Sequence, residues 1–377
     1  MKKRALALML SAVMLVCMLA GCGSSGNSDT DASDDAATAD ASADETDTSD
    51  VTYEEMNITV SCSTNESETP SLVLQKFMEE VTEATGGAVT FTVYYGSTFC
   101  SSTEELYQMQ SGALDMCILQ TLAYGDVIPL FVSIPQMYIG TDEEAKAYFD
   151  EMFLEGESGE LIEASLSEYN TKMIGNIYTG LNCWFSTQTF ESFEDLEGLK
   201  IGCQDSAPID GLGLTAVFVD VSDYYDSLER GVIDAGTFSF DGTVSLKLYE
   251  PASNVMLDQG KTWGMPFCMR EDLWDSMSEE LQTVFEEAMA VAQDYSVDTV
   301  NEVIASAQEE LEAEGVTIGT LSDEDAEASF LAQTEASIAN GMERAEAADC
   351  VDDMITILTK SLELYGLDPD EYLADYQ

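Results

Sequence analysis

Ile58-Thr-Val-Ser-Cys62, then Pro70-Ser-Leu-Val-Leu-Gln-Lys-Phe-Met-Glu-Glu-Val81, then Val89-Thr-Phe-Thr-Val-Tyr-Tyr95: in this order the three segments read strand, helix, strand. The first is a short apolar-rich run, and the polar loop Ser63 to Thr69 follows it. Pro70 suits a first helical turn, where its missing N–H has no partner to lose. Leu72, Leu74, Phe77, Met78 and Val81 keep one face at helical spacing, and Gly86-Gly87 ends the helix. Val89, Phe91 and Val93 alternate with Thr90, Thr92 and Tyr94, the period of a strand. Ser101-Ser-Thr-Glu104 predicts a capping box and a helix to Gly112, and Ala113 to Leu119 reads as a buried strand. This alternation of strand and helix is the pattern of a parallel α/β sheet.

The same logic returns downstream. Met109-x-x-Gly112-Ala-Leu114-Asp115 matches Leu228-x-x-Gly231-Val-Ile233-Asp234. In both, a helix stops at a Gly suited to a left-handed C-cap and a strand starts at once. Two like units point to two α/β lobes, against a coincidence between two ordinary helix-to-strand joints. Residues 276–313 read as helix, with Ser276 and Glu279 as a capping box and Leu281, Val284, Phe285, Ala288 and Ala292 on one face. Acidic helices over about 322–349 and 351–365 complete the chain, and no sustained heptad demands a coiled coil.

The N-terminus speaks of location. Lys2, Lys3 and Arg4 precede an apolar run, Ala5 to Ala20, that is too short to span a bilayer and ends Leu19-Ala20-Gly21-Cys22. Residues 1–21 therefore read as a signal peptide. The ending resembles a bacterial lipobox, in which cleavage before Cys22 leaves that thiol to carry diacylglycerol; an ordinary secretory signal with an incidental Cys is the plainer alternative. Residues 22–52 lack large apolar side chains and read as a disordered acidic tether. No later segment is apolar enough to span a membrane, so lipid on Cys22 is the expected membrane attachment.

Composition excludes whole classes of function. The 73 acidic residues against 13 basic ones, of which Lys2, Lys3 and Arg4 leave with the leader, argue against nucleic acid or an anionic surface as partner. With no histidine, His-based triads, His zinc sites and HExxH peptidases are out. Of nine cysteines, Cys17 leaves and Cys22 is spoken for; no two of the other seven lie close enough for a CxxC motif. No metal and no cofactor is expected, and no Gly-rich phosphate loop is present.

Four stretches, in order, resemble the DctP-type solute receptors of TRAP transporters. They are Val89 to Met116, Phe193-Glu-Asp-Leu-Glu-Gly-Leu-Lys-Ile201, Tyr225 to Asp234, and Leu273-Trp-Asp-Ser-Met-Ser-Glu-Glu-Leu281, together spanning roughly 57–320. The resemblance implies a two-lobed, periplasmic-binding-protein-like α/β fold, each lobe a mostly parallel sheet with flanking helices. It implies lobe I over 53–179 and 264–303, and lobe II over 180–263 and 304–377. A small molecule would sit in the interlobe cleft, the lobes closing on it by a hinge. The partner would be a membrane permease driven by an ion gradient, and no enzyme activity is expected.

Departures from the family pattern concern the ligand. The strand that in the family carries a carboxylate-clamping Arg here reads Lys200-Ile-Gly-Cys-Gln204, so Gly202 takes that position. A second family Arg falls at Asn182, and a family Asn near Phe238. Neither Gly nor Asn makes the bidentate charged fork of Arg, so a simple Arg-clamped carboxylate is not the expected ligand. Trp184, Phe185, Phe238, Phe240 and Trp263 fall on or near the matching pocket strands, and Asn65, Gln120, Asn182, Gln204, Asp205 and Asp241 add polar groups. Such a set suits a neutral polar ligand or an amine, although core packing is the commoner fate of each aromatic. Lys261 reads as a surface lysine or a displaced cation. Candidate ligand contacts are thus Asn65, Gln120, Asn182, Trp184, Gln204, Asp205, Phe238, Asp241 and Trp263. The rival readings are an ABC-type binding lipoprotein, a sensory protein on the same fold, and a two-carboxylate glycosidase.

Overall fold

The structure, a computed structural model, describes residues 52–132, 137–262 and 265–376. The expected leader, Cys22, most of the expected tether and Trp263 lie outside the described residues. The chain opens with β1 (Met56–Cys62), α1 (Thr69–Ala84), β2 (Val89–Tyr94), α2 (Glu105–Gln110) and β3 (Met116–Ile118). Next come β4 (Met137–Tyr138), α3 (Asp142–Phe153), α4 (Gly156–Ser167), β5 (Thr171–Ile177), β6 (Gly180–Ser186) and β7 (Lys200–Cys203). Then α5 (Ala207–Gly211), β8 (Thr215–Phe218), α6 (Tyr224–Glu229), β9 (Ala235–Ser239), α7 (Phe240–Ser245), β10 (Asn254–Thr262) and β11 (Met265–Arg270) follow. The chain finishes with α8 (Glu271–Asp275), α9 (Glu279–Ala313), β12 (Thr317–Thr320), α10 (Asp323–Ala348), α11 (Val351–Leu364) and α12 (Pro369–Tyr372).

Two sheets form, ordered β2-β1-β3-β11-β5 and β12-β10-β6-β9-β7-β8, with β4 added beside β10. They correspond to the two expected lobes, each mostly parallel as expected but mixed, with one strand of each ordered path reversed. β11 runs antiparallel to β3 and β5, and β6 antiparallel to β9 and β10. The cause is the double crossing. The chain passes between sheets at β5–β6 and again at β10–β11, and each arriving strand enters from the cleft, where the parallel strands end. Helix α9 runs along both lobes, packing on α1 and β5 and then on β6, α7 and β12. Gly180 makes the first crossing possible: its φ is +94°, and a Cβ there would come 2.6 Å from Val300 on α9.

The two like units in the sequence are alike in space. Gly112 and Gly231 both take left-handed φ, +77° and +66°. Asp115 accepts the Thr59 N–H at 2.9 Å, and Asp234 accepts the Lys200 N–H at 3.1 Å. Each aspartate is paired to a cation, Arg270 at 3.6 Å and Lys200 at 3.7 Å, which also donates to the carbonyl of the neighbouring glycine.

Apolar clusters cover both faces of each sheet, which is why the strands read as short buried runs. Two local expectations shift. The long helix is capped by Ser278, whose hydroxyl accepts from Leu281 N, while Ser276 belongs to the preceding turn. The sequence boundary puts 304–377 with lobe II, and β12 does join that sheet; α11 and α12 instead bury Met354, Ile357, Leu358, Leu362 and Leu373 with Phe149 and Ile162 of α3 and α4. Their apolar stripes fit the face those helices leave open. Among the described residues no helix is long and apolar enough to cross a membrane.

Candidate functional site

Ligands of open α/β sheets gather at the carboxyl ends of parallel strands, and here both sheets point those ends at one cleft. Thr64 follows β1, Gln120 follows β3, Thr179 follows β5, Gln204 and Asp205 follow β7, and Phe238 and Ser239 end β9. The reversed strands contribute from their starts, Met265 on β11 and Asn182 on β6. These residues line one cavity of about 130 Å³ between the lobes, on the scale that holds a single small ring. Glu68, Asp241, Tyr224, Leu122 and Ile209 complete much of its wall, and α10 adds Gln333.

A buried carboxylate organises one wall. The β10 strand breaks register between Leu257 and Lys261, and the break turns Asp258 inward. Its Oδ2 accepts from Asn182 Nδ2 at 2.7 Å and Trp184 Nε1 at 3.0 Å, and its Oδ1 from Gly260 N at 2.9 Å. Burial pushes the Asp258 carboxyl above its ordinary range, and the three donors oppose that. Asn182 also donates to Thr237 Oγ1 at 2.8 Å. Both amide protons are thereby used, so Asn182 offers Oδ1, an acceptor, as its remaining polar atom.

The cavity also carries an interlobe latch. Glu68 Oε1 accepts from Asn65 N and Nδ2, at 3.1 and 2.8 Å, and from Ser245 Oγ of the other lobe at 2.5 Å. Asp241 accepts the Thr69 N–H across the cleft at 3.0 Å and its neighbour Gly242 N–H at 2.9 Å. Burial, then the charge of Asp241, raise the Glu68 carboxyl to about 6. Asp205 accepts from Ala207 N at 3.1 Å, and burial raises its carboxyl too.

Cations stand apart from these acids. No Lys or Arg lines the cavity among the described residues. Lys261, read as a displaced cation or a surface lysine, is paired to Asp142 at 3.0 Å. At Gly202 a Cβ would meet Ile233 Cδ1 at 2.6 Å, so the side-chain space of the expected Arg position is filled from the core.

A profile of the bacterial extracellular solute-binding proteins, family 7 (DctP), matches residues 60–340. The chain belongs to this family. This family 7 chain is 27% identical over 261 residues to a solute-binding protein of Chromohalobacter salexigens, spanning 67% of this chain and 76% of that one. It is 24% identical over 247 residues to the C4-dicarboxylate-binding periplasmic protein DctP of Rhodobacter capsulatus, spanning 64% and 73%. Among solved structures it is similar to the periplasmic ectoine-binding protein of a Halomonas elongata TRAP transporter, with TM-score 0.73 and 18% identity over 82% of this chain and 99% of that one. It is also similar to a TRAP periplasmic solute-binding protein of a Sulfitobacter species with bound β-D-galacturonate, with TM-score 0.69, 19% identity and coverage of 81% and 99%. At these identities the structural likeness establishes the two-lobed fold, and the family profile establishes the role of a TRAP-type solute receptor.

Of the nine candidate contacts in this receptor, Gln120, Asn182, Gln204, Asp205, Phe238 and Asp241 come together on the cavity wall. Asn65 stands behind it, holding Glu68. Trp184 is 1% exposed and sits in the core beneath, edge-on to Phe193, with its N–H on Asp258. Phe185 and Phe240 are likewise core. The sequence reading omits Glu68, Thr64, Tyr224, Ile209 and Gln333. A signal for Thr64 and Glu68 existed in the polar loop directly after β1, the position where parallel strands meet ligand. None existed for Gln333, which reaches the cleft only because α10 packs on α5.

Proposed function

We propose that this receptor captures one small solute in the interlobe cavity and passes it, chemically unchanged, to an ion-gradient-driven TRAP permease. It would work outside the cytoplasm, tethered by lipid on Cys22. The observation that carries the reading is the convergence of polar side chains from both lobes on one ring-sized cavity, closed on one side by the Glu68–Ser245 and Thr69–Asp241 contacts. Solute capture by hinge closure needs that arrangement.

The Sulfitobacter neighbour holds a sugar acid. Here Gly202 and Asn182 occupy the positions where the resemblance places arginines, and Asn182 already spends its donors on Thr237 and Asp258. A ligand held by an Arg–carboxylate fork does not match this wall. The test is a thermal-shift screen of organic acids, sugars, amines, amino acids and nucleosides, with calorimetry on each hit. A ligand at about one hundred times its Kd adds about 2.7 kcal/mol of stability, a shift of several degrees. Silence from every class, or turnover of a glycoside, would defeat the reading. Anchoring is checked separately: Cys22→Ser should release the protein from the membrane fraction.

A further inference from the structure

We infer that the cavity is built for a small organic cation carrying N–H donors, a protonated amine or amidine, rather than for an anion. The inference rests on the solute-binding reading above and names the ligand class of that same site. Its ground is an excess of acceptors. Glu68 is 4% exposed, and every hydrogen bond it receives from the described residues ends on Oε1, which leaves Oε2 of a cavity-lining carboxylate without a donor. From the described residues Asp205 receives its bond on Oδ1 alone. Asn182 presents Oδ1 because both its protons are engaged. A ligand that fills the cavity takes these acceptors out of water, and they lose free energy unless it brings donors to meet them, charged acceptors most of all.

Charge points the same way. Glu68, Asp205 and Asp241 all line the cavity, and no lining cation among the described residues offsets them. The basic side chains nearby are already committed: Lys261 pairs with Asp142, and Arg344, whose charge does reach Asp205, is bound to Asp126 and Asn340. A ligand carboxylate would face like charges and no fork, a built-in rejection of acids. An ammonium or amidinium group answers both deficits, supplying positive charge and N–H donors. Its apolar portion finds Phe238 and Tyr224, set edge to face at 6.1 Å, with Ile209 and Leu122. Aromatic faces favour a cation over an anion.

The experiment is calorimetry on the mature protein with tyramine, putrescine and agmatine as cations, D-galactose as a neutral ligand, and D-galacturonate and succinate as anions, at low and high salt. At least one amine should bind, more weakly in high salt. Glu68→Gln and Asp205→Asn, one from each lobe, should each weaken it about tenfold or more, equal to about 1.4 kcal/mol. Glu229→Gln, an exposed acid on α6, should leave it unchanged. Circular dichroism establishes that each variant is folded, and the two acids lie in different lobes, so misfolding of one leaves the other as the test. Binding of galactose, galacturonate or succinate more tightly than any amine would overturn the inference while leaving the solute-binding reading intact. So would an amine whose affinity survives both substitutions. Failure of all three amines overturns it as well, and silence from every compound of the broader screen would take the solute-binding reading with it.

Discussion

Glu68 should make the ligand-free protein lose stability as pH rises through the weakly acidic range. Burial and the Asp241 charge carry its carboxyl from 4.5 to about 6, although Asn65 and Ser245 pull the other way. In the unfolded chain the same group returns to its ordinary value. Between the two pKa values the folded state holds more protons than the unfolded state, so stability falls with rising pH. The contribution of Glu68 is full below about 4.5 and is lost by the time pH passes about 6. A displacement of roughly 1.5 pH units at about 1.36 kcal/mol per unit amounts to about 2 kcal/mol. Glu68→Gln keeps the shape and cannot titrate. Urea unfolding of both proteins across this range should therefore give a difference curve that moves by about 2 kcal/mol in favour of the variant as pH rises. Subtraction removes the slope due to the many other carboxylates. A flat difference curve, or one of opposite slope, would mean that Glu68 ionises as an exposed glutamate does and that the latch is open to water.

Trp184→Phe deletes the Nε1 donor to the fully buried Asp258 and should lower stability by about 1–3 kcal/mol in urea unfolding. Because Trp184 lies beneath the wall, ligand affinity in calorimetry should change by no more than a few-fold; complete loss of binding would place the indole in the cavity. Glu105 is fully buried beside Ser61 and near several thiols, with Oε2 lacking a partner, and burial raises its carboxyl to about 8. Its contribution is present at low pH and is lost as pH rises towards about 8, so Glu105→Gln should flatten the melting-temperature profile between weakly acidic and weakly basic pH.

Local pattern carried much of the fold. The period-two run at Val89–Tyr94, the helical stripe after Pro70 and the glycine stops at Gly112 and Gly231 all depend on neighbours within a few residues, and such signals survive in one dimension. The matched Gly and Asp of the two units proved to be one device used twice, each aspartate gripping an adjacent strand and a cation. The reversal of β6 and β11 was not legible in this way. It follows from where the chain re-enters each sheet, a property of the whole path.

The site divides along the same line. By itself, the sequence determined that an acidic, histidine-free α/β chain offers polar and aromatic residues at strand ends, and that the expected arginine positions hold Gly202 and Asn182. Only the tertiary structure placed Trp184 in the core beneath the cavity wall, with its N–H on Asp258. Only it brought Glu68 to Ser245 and Thr69 to Asp241, from opposite lobes and more than 170 positions apart in the chain. The physical reason is that hydrogen-bond donors are shared out in three dimensions. Whether Asn182 gives or accepts depends on Asp258, and Asp258 turns inward because β10 breaks its register there.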